Sequence, residues 1–361
     1  LLLVLALVAP PLIAFAIYFG CWHAMRHTAR LTLSLPKSIE QLNQGLINAT
    51  YIIKTSKGKQ YILQTVNHQI FKSPEAIDHN IKLMGDYLSM HHPDYLFTHL
   101  VPNKEETTLY FWEGKYYRAF EHLNGVSYDV LSKAEQAKEA AKAFGTFTSK
   151  LSNLPIKAVQ ITLPDFHNLS LRYQQFVSAI QYGNKERIES SKEAIQFLEE
   201  QQFLVEQYEN FISSKNAILR VTHHDTKISN VLFDQNEKVI CVIDLDTVMP
   251  GYFISDVGDM CRTYLPNVSE EEQNIDLIKI DKGRWEAIKE GYLLAMGDLL
   301  TSFEKAHFEF AGSFMIYMQA LRFLTDHLNN DVYYGAKYNG QNYVRAINQI
   351  ALLKAYYQII Q

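Results

Sequence analysis

Cysteine is scarce, with Cys21, Cys241 and Cys261 the only three in 361 residues. Three scattered thiols exclude a disulfide framework and point to a reducing compartment, so a cytoplasmic location is expected. Clustered basic residues are also missing. The chain carries 34 Lys and Arg against 39 Asp and Glu, a net charge of −5. That argues against nucleic acid as a partner, because a phosphate backbone demands many Lys and Arg on one surface. No repeat or low-complexity tract interrupts the sequence, and its 47% of apolar residues suffice for a large core.

What is present is concentrated in Thr222 to Asp246, THHDTKISNVLFDQNEKVICVIDLD. Asp225 lies two residues after His223 and five before Asn230, and the apolar run Val239 to Ile243 delivers Asp244. Transfer of a γ-phosphoryl group is mostly positioning and charge neutralisation, with one carboxylate to orient the attacking hydroxyl. Asp225 suits that task, while the amide oxygen of Asn230 and the carboxylate of Asp244 are hard ligands suited to Mg2+. The turn-forming Asp234-Gln235-Asn236 between two apolar runs predicts a hairpin that folds Asp244 back beside Asn230. A surface hairpin with ordinary capping aspartates is the competing reading, but His223, Asp225, Lys227, Asn230 and Asp244 all fall on one predicted loop, hairpin and strand.

This segment resembles the aminoglycoside phosphotransferase and choline kinase superfamily. Within it, HHDTKISNVLFD, VIDLDTVMPG and DVGDMCR look like the N-acetylhexosamine 1-kinase branch, as do GLINATYII, YILQTVNHQIF and, near the C-terminus, ALRFLTDHLNNDVYYGAKY and NYVRAINQIALLKAYYQ. The resemblance runs from about Leu42 to the end. It implies an α+β, bilobal protein-kinase-like fold with a small antiparallel β lobe and a large, mainly helical lobe. The implied activity is ATP-dependent phosphorylation of the C1 hydroxyl of N-acetylglucosamine or N-acetylgalactosamine, with ATP and Mg2+ as cofactors and a small-molecule sugar as partner. By motif position, Asp225 takes the catalytic base role, with Lys227 beside it in the loop, and Asn230 and Asp244 take the metal roles. Asp256 matches the aspartate that steadies the catalytic loop. Asp246 either reaches metal-bound water or substrate, or caps the following turn. Choline, homoserine, aminoglycoside or other hexose kinases, and a non-catalytic nucleotide-binding scaffold, are the alternatives.

Residues 32–121 read as the small nucleotide-binding lobe and 122–361 as the large lobe. Tyr51 to Lys54 and Tyr61 to Val66 are β-favouring runs joined by a Gly-containing turn. Gly45, Asn48 and Thr50 precede or open the first of these and are expected over the nucleotide phosphates, although a single glycine makes a poor phosphate cradle. The strand lysine that pairs with ATP phosphates in most kinases is absent: Gln64 stands there. His68, Lys54 or Lys59 are candidates for the missing charge, or are simply solvated strand residues. A helix is predicted over Pro74 to Leu88, where Glu75, His79 and Asn80 are further candidates for orienting the phosphates. More strands are expected at Tyr95 to Val101, Thr108 to Trp112 and Tyr116 to Phe120. Glu121 and Leu123 mark a hinge that holds the base through backbone groups. A Ser132 to Glu135 capping box opens the large lobe, and Leu169 to Ser213 reads as amphipathic helices without chemistry.

In the C-terminal helices, Arg322 and Asp326 are four residues apart. They form either an i,i+4 ion pair worth about 0.3 to 0.5 kcal/mol or, with Tyr333, part of a sugar site. The resemblance favours Arg322 and Tyr333 as substrate contacts. Arg262 either holds Asp244 or a phosphate, or pairs with Asp259.

The first 20 residues contain no charged side chain, enough for a membrane span, although Pro10-Pro11 would kink it. YFGCWHAMRH resembles the closing motif of the Brp/Blh-type β-carotene dioxygenase family. His23 and His27 keep i,i+4 ligand spacing, yet two histidines cannot build that family's iron site. Residues 1–31 are read as a fused remnant or gene-boundary artefact in preference to a true anchor, and membrane contact is expected only if they are an anchor.

Overall fold

The computed structural model describes residues 36–42 and 48–360. The membrane-like segment 1–31 and Gly45 lie outside these. No helix among the described residues is long and apolar enough to cross a membrane. The fold is α+β, in two compact units. One runs to Asn124 and includes Lys157–Leu163; the other comprises Gly125–Ile156 and Pro164 onward.

The first unit is built on a five-stranded antiparallel sheet of order β1-β2-β3-β5-β4: β1 (Pro36–Leu42), β2 (Ala49–Thr55), β3 (Gln60–Val66), β4 (Leu109–Trp112) and β5 (Lys115–Glu121). Side chains alternate between faces. Tyr51, Ile53, Leu63, Tyr117 and Ala119 make one buried cluster, whereas Thr50, Gln64 and Arg118 take the even positions of the pleat. Gly58 turns β2 into β3 with φ +82°, where a side chain would be strained. Helix α1 (Pro74–His91) starts on Pro74 and buries Ile77, Ile81, Met84 and Leu88.

Three features of this unit depart from the sequence expectations. Strand β1 is an addition, since PKSIEQL offers only Ile39 and Leu42 as apolar positions beyond its proline; it pairs with β2. The strand expected over Tyr95 to Val101 reduces to one bridge, Leu100 to Phe120, because this stretch crosses α1, burying Phe97 beside Gly85, and Pro102 cannot donate to a continuing ladder. Asn80 and His79 anchor Lys157–Leu163 instead of aiming at a nucleotide. The Asn80 amide exchanges two 2.8 Å bonds with the Gln160 backbone, and His79 bonds Ala158 O at 2.9 Å.

The second unit is mainly helical. Helix α2 (Ala134–Lys150) begins one residue later than its expected box. Gln136, not Glu135, reaches back and accepts from the Ser132 amide and hydroxyl at 2.9 and 3.1 Å. Helices α3 (Leu169–Tyr182), α4 (Lys185–Ser190), α5 (Lys192–Glu200) and α6 (Phe203–Ser213) follow. Four short strands frame the motif: β6 (Arg220–Thr222), then the β7 (Val231–Phe233) and β8 (Val239–Val242) hairpin, and β9 (Met249–Gly251), which pairs with β6. Helices α7 (Phe253–Tyr264), α8 (Lys282–Met296), α9 (Ser302–Ala306), α10 (Phe308–Leu328) and α11 (Gln341–Ile360) complete it. Helix α10 packs between α7 and α11. Gly258 lets α7 approach α10, because a Cβ there would strike the Ala311 carbonyl.

Candidate active site

The loop between β6 and β7 is held almost entirely by backbone hydrogen bonds to buried side chains. Asp234 Oδ1 first fixes the hairpin, accepting from the Asn236 and Lys238 amides at 2.8 and 2.9 Å. Val231 then faces Val242, and the Ile243 amide donates to Asn230 O at 2.9 Å. This puts Asp244 one residue beyond Asn230's backbone partner.

His223 closes the arrangement. Its Nδ1 accepts from the Asp225 amide at 3.3 Å, so the proton sits on Nε2, which donates to Ile243 O at 3.0 Å. Burial holds its pKa below the ordinary histidine value, which agrees with a neutral ring. The Asn230 amide donates to Asp225 O at 2.8 Å. One imidazole and one carboxamide thus gather the backbones of residues 225, 230 and 243.

Two aspartates of α7, three residues apart and on one helix face, grip the loop from below. Asp256 is wholly buried and accepts the amides of His224 at 2.7 Å and His223 at 3.1 Å. Burial pushes its carboxyl up to about 7, against the pull of these two donors. Asp259 accepts the Thr226 amide at 2.8 Å and is itself paired with Arg262 at 2.9 Å. His224 takes a left-handed φ of 68°, and burial lowers its pKa to about 4. Tyr264 donates to Thr226 O. Sequence reasoning does not reach Asp259 and Tyr264 as loop supports; the only signal is the second aspartate of DVGD.

Asp256→Asn keeps the volume but sets an amide NH2 against one of the two loop N–H groups. Stranding one buried donor costs about 1–3 kcal/mol. The expected outcome is a lower urea midpoint together with a lower kcat. An unchanged midpoint would show that the loop amides have another acceptor.

The carboxylate of Asp225 is 20% exposed and meets Lys227 Nζ at 3.0 Å. Burial works against the Lys227 charge, but Asp225 and Asp259 together raise its pKa above the ordinary value. Asp244 adopts a left-handed φ of 59° and is exposed, whereas Asp246 is 2% exposed within the turn Leu245–Thr247. Among the described residues no three His, Cys, Asp or Glu side chains group to hold a metal. Asn230 and Asp244 each offer a hard oxygen donor of the kind Mg2+ accepts alongside water and phosphate oxygens.

Arg262 resolves towards its own helix and the segment that follows: it pairs with Asp259 and, at 3.1 Å, with Glu270. Glu270 also holds Arg345, whose guanidinium lies 3.7 Å from the Phe323 ring centroid.

Arg322 and Asp326 do not pair with each other. Asp326 is 3% exposed and accepts the amides of Tyr333 and Tyr334 at 2.7 and 2.9 Å and the Asn342 side chain at 3.0 Å. Arg322 instead lies against three rings, at 5.6 Å from Phe166, 5.8 Å from Tyr333 and 5.4 Å from Tyr334. Its hydrogen-bond acceptors are Gln319 and the Tyr333 hydroxyl. Phe166 stacks on His167, and the His167 ring lies 5.3 Å from that of His224 in the loop. Burial, followed by His224 and Arg322, holds the His167 pKa well down.

In the first unit, Gln64 Oε1 accepts from Arg118 at 2.8 and 3.1 Å, and Gln64 Nε2 donates to Thr50. Asn48 accepts the Asn67 amide at 2.9 Å, pinning the start of β2 to the end of β3. Glu121 ends β5 opposite Tyr61, and Leu123 is half-buried just beyond it.

The loop aspartate beside a lysine, the asparagine five residues on and the hairpin-delivered aspartate all lie within the stretch that a family profile matches. The profile of the phosphotransferase enzyme family matches residues 38–291. The chain belongs to this family. A second profile, of β-carotene 15,15′-dioxygenase, matches residues 1–57. It overlaps the first across β1 and β2, which are strands of the phosphotransferase sheet.

Solved structures similar to this phosphotransferase include an amicoumacin kinase, hAmiN, in complex with AMP-PNP and Ca2+. It is 13% identical, with TM-score 0.62, and the match covers 93% of this chain and 98% of that one. Spectinomycin phosphotransferase APH(9)-Ia, in complex with ADP and spectinomycin, is 12% identical, with TM-score 0.57 and coverage of 91% and 97%. A choline kinase from Cryptosporidium parvum is 13% identical, with TM-score 0.55 and coverage of 90% of each chain. At these identities the likeness is one of fold.

Proposed function

We propose that this phosphotransferase transfers the γ-phosphoryl group of ATP to the anomeric C1 hydroxyl of a neutral sugar, with an N-acetylhexosamine as the first candidate. Asp225 orients the acceptor hydroxyl and takes its proton as the oxygen–phosphorus bond forms and ADP leaves. Lys227 steadies that carboxylate. Asn230 and Asp244 would hold Mg2+, which supplies charge neutralisation when bound. The nucleotide and divalent ion named with the amicoumacin kinase, and the ADP named with the spectinomycin enzyme, support the ATP and metal parts of this reading.

The observation that carries the acceptor class is the setting of Arg322. A guanidinium flanked by three aromatic rings, with its nearest helical acid turned away onto backbone amides, is a poor host for a cation. It suits a neutral, hydroxyl-rich ring that stacks on aromatics and accepts hydrogen bonds. An aminoglycoside or choline site is expected to present carboxylates or open aromatic faces to the ligand's positive charge.

The test is incubation of the full chain with ATP and MgCl2 against N-acetylglucosamine, N-acetylgalactosamine, glucose, choline and kanamycin, with products located by phosphorus NMR. Sugar 1-phosphate is the expected product, with choline and kanamycin unmodified. Phosphate at C6, or phosphocholine, would overturn the acceptor assignment.

A further inference from the structure

Glu270 lies in the connection between α7 and α8, a stretch with no helix longer than the turn Ile275–Leu277. Its side chain is 34% exposed, so it fills no core. Both of its oxygens are nevertheless committed: Oε2 accepts from Arg262 at 3.1 Å, while Oε1 accepts from Arg345 Nε at 3.1 Å and from Arg345 Nη2. Burial works to raise its pKa, but Arg262 and then Arg345 hold it below the ordinary glutamate value. The carboxylate therefore stays charged near neutral pH.

The two arginines lead in opposite directions. Arg262 leads to the catalytic loop, because Asp259 takes its guanidinium at 2.9 Å through Oδ1 and the Thr226 amide at 2.8 Å through Oδ2. Thr226 directly follows Asp225. Arg345 leads to the ring cluster: its guanidinium covers Phe323, and its Nη1 donates to Asn342 Oδ1 at 3.3 Å. Asn342 in turn donates to Asp326, the acid that fixes the Tyr333 and Tyr334 amides. The Tyr334 ring is shared, with Arg345 at 5.2 Å and Arg322 at 5.4 Å from its centroid.

Each side chain on this path has a partner on either side, and all of them belong to the second unit. A partly exposed acid touching one arginine would be an ordinary surface pair that contributes little. Glu270 differs because it joins two nearly buried guanidiniums from different helices, α7 and α11. Without its charge Arg262 keeps Asp259, and Arg345 is left with ring faces and the Asn342 oxygen. What disappears is the tie between the two ends.

We propose that Glu270 is a positioning residue: through Arg262 and Arg345 it ties the loop that carries Asp225 to the rings beside Arg322, so that filling the ring cluster steadies the base. This rests on the reading of that cluster as the acceptor site, and adds to it a residue that touches neither substrate nor reacting atoms.

Hydrogen exchange of the full chain, followed by mass spectrometry, reads the tie without any ligand. Glu270→Gln keeps the size of the side chain and removes its charge. Exchange is expected to rise at both ends, residues 223–226 and 333–334, by about 2- to 30-fold, the span of coupling through a packed network, with exchange in α2 unchanged. Arg345→Gln, which has no contact with the loop, should give the same rise at 223–226, and the double variant no more than either single. Should Arg345→Gln not fold, Arg345→Lys serves, since it keeps the charge but loses the planar fork that spans Glu270 and Asn342. The kinetic arm uses whichever of the five compounds above the wild type phosphorylates: kcat in Glu270→Gln should fall by a similar factor, with KM for ATP unchanged. Loop exchange at the wild-type rate in the Arg345 variant, a rise shared equally by α2, or an unchanged kcat beside faster loop exchange overturns the assignment while leaving the acceptor reading intact. A wild type that phosphorylates none of the five overturns the acceptor reading, and the exchange arm still decides whether Glu270 ties the loop to the rings.

Discussion

Asp225→Asn is expected to reduce kcat by about 10²- to 10⁴-fold, the usual contribution of a positioned general base. Stability should stay within about 0.5 kcal/mol, as for substitutions away from a buried network. The two halves of this expectation have separate structural grounds. The backbone of residue 225 is fixed by His223 Nδ1 on its amide and by Asn230 on its carbonyl, so the loop does not depend on the carboxylate for its shape. The side chain is partly exposed and its charged partner is Lys227. An asparagine fits the same space and still offers an oxygen to Lys227, but it cannot take a proton from the acceptor hydroxyl. Single-turnover kinetics with urea unfolding in parallel would test both halves. Activity within tenfold of wild type, in a variant of unchanged stability, would remove Asp225 from the role of base. A chain that serves only as a nucleotide-binding scaffold would show no turnover to lose.

The parts of this site that can be read from sequence are those whose geometry is local. Asp225 and Asn230 share one loop, and the Asp234 turn between two apolar runs makes a hairpin, so proximity to Asp244 follows from chain connectivity and strand period. The α1 helix is likewise marked by its Pro74 start and apolar spacing.

What sequence does not reveal depends on partners far along the chain or on competition between partners. Arg118 meets Gln64 across 54 positions of sequence, and nothing near Arg118 distinguishes it from any exposed strand arginine. The i,i+4 spacing of Arg322 and Asp326 suggests an ion pair, but two backbone amides and the Asn342 side chain outcompete the guanidinium for that carboxylate. A buried acid favours several fixed donors over one long side chain, whose ordering costs entropy. Strand β1 is hidden because an edge strand needs only one neighbour, and a charged, weakly patterned edge is what discourages unwanted pairing.

Glu304→Ala is expected to cost about 3–5 kcal/mol, the usual result of removing one partner from a buried ion pair. Glu304 is wholly buried, and its two oxygens bond Arg220 Nη1 at 2.6 Å and Nη2 at 3.0 Å. The same carboxylate accepts the Ile218 amide at 3.0 Å and the Thr301 amide at 2.9 Å, closing the capping box of α9. Truncation therefore strands a guanidinium and two backbone donors together. The damage should reach the catalytic loop, because Arg220 opens β6, and β6 runs directly into His223. Replacing both partners with apolar residues is often harmless for an isolated buried pair, but here Ile218 and Thr301 would still lack an acceptor. The double variant Arg220→Met, Glu304→Leu should thus recover only the part of the loss owed to the unpaired guanidinium, leaving about 1–3 kcal/mol for each stranded amide. Urea titration of the two variants separates these contributions. A Glu304→Ala protein within about 1 kcal/mol of wild type would mean that water enters and solvates Arg220, and that β6 is held by its pairing with β9 alone.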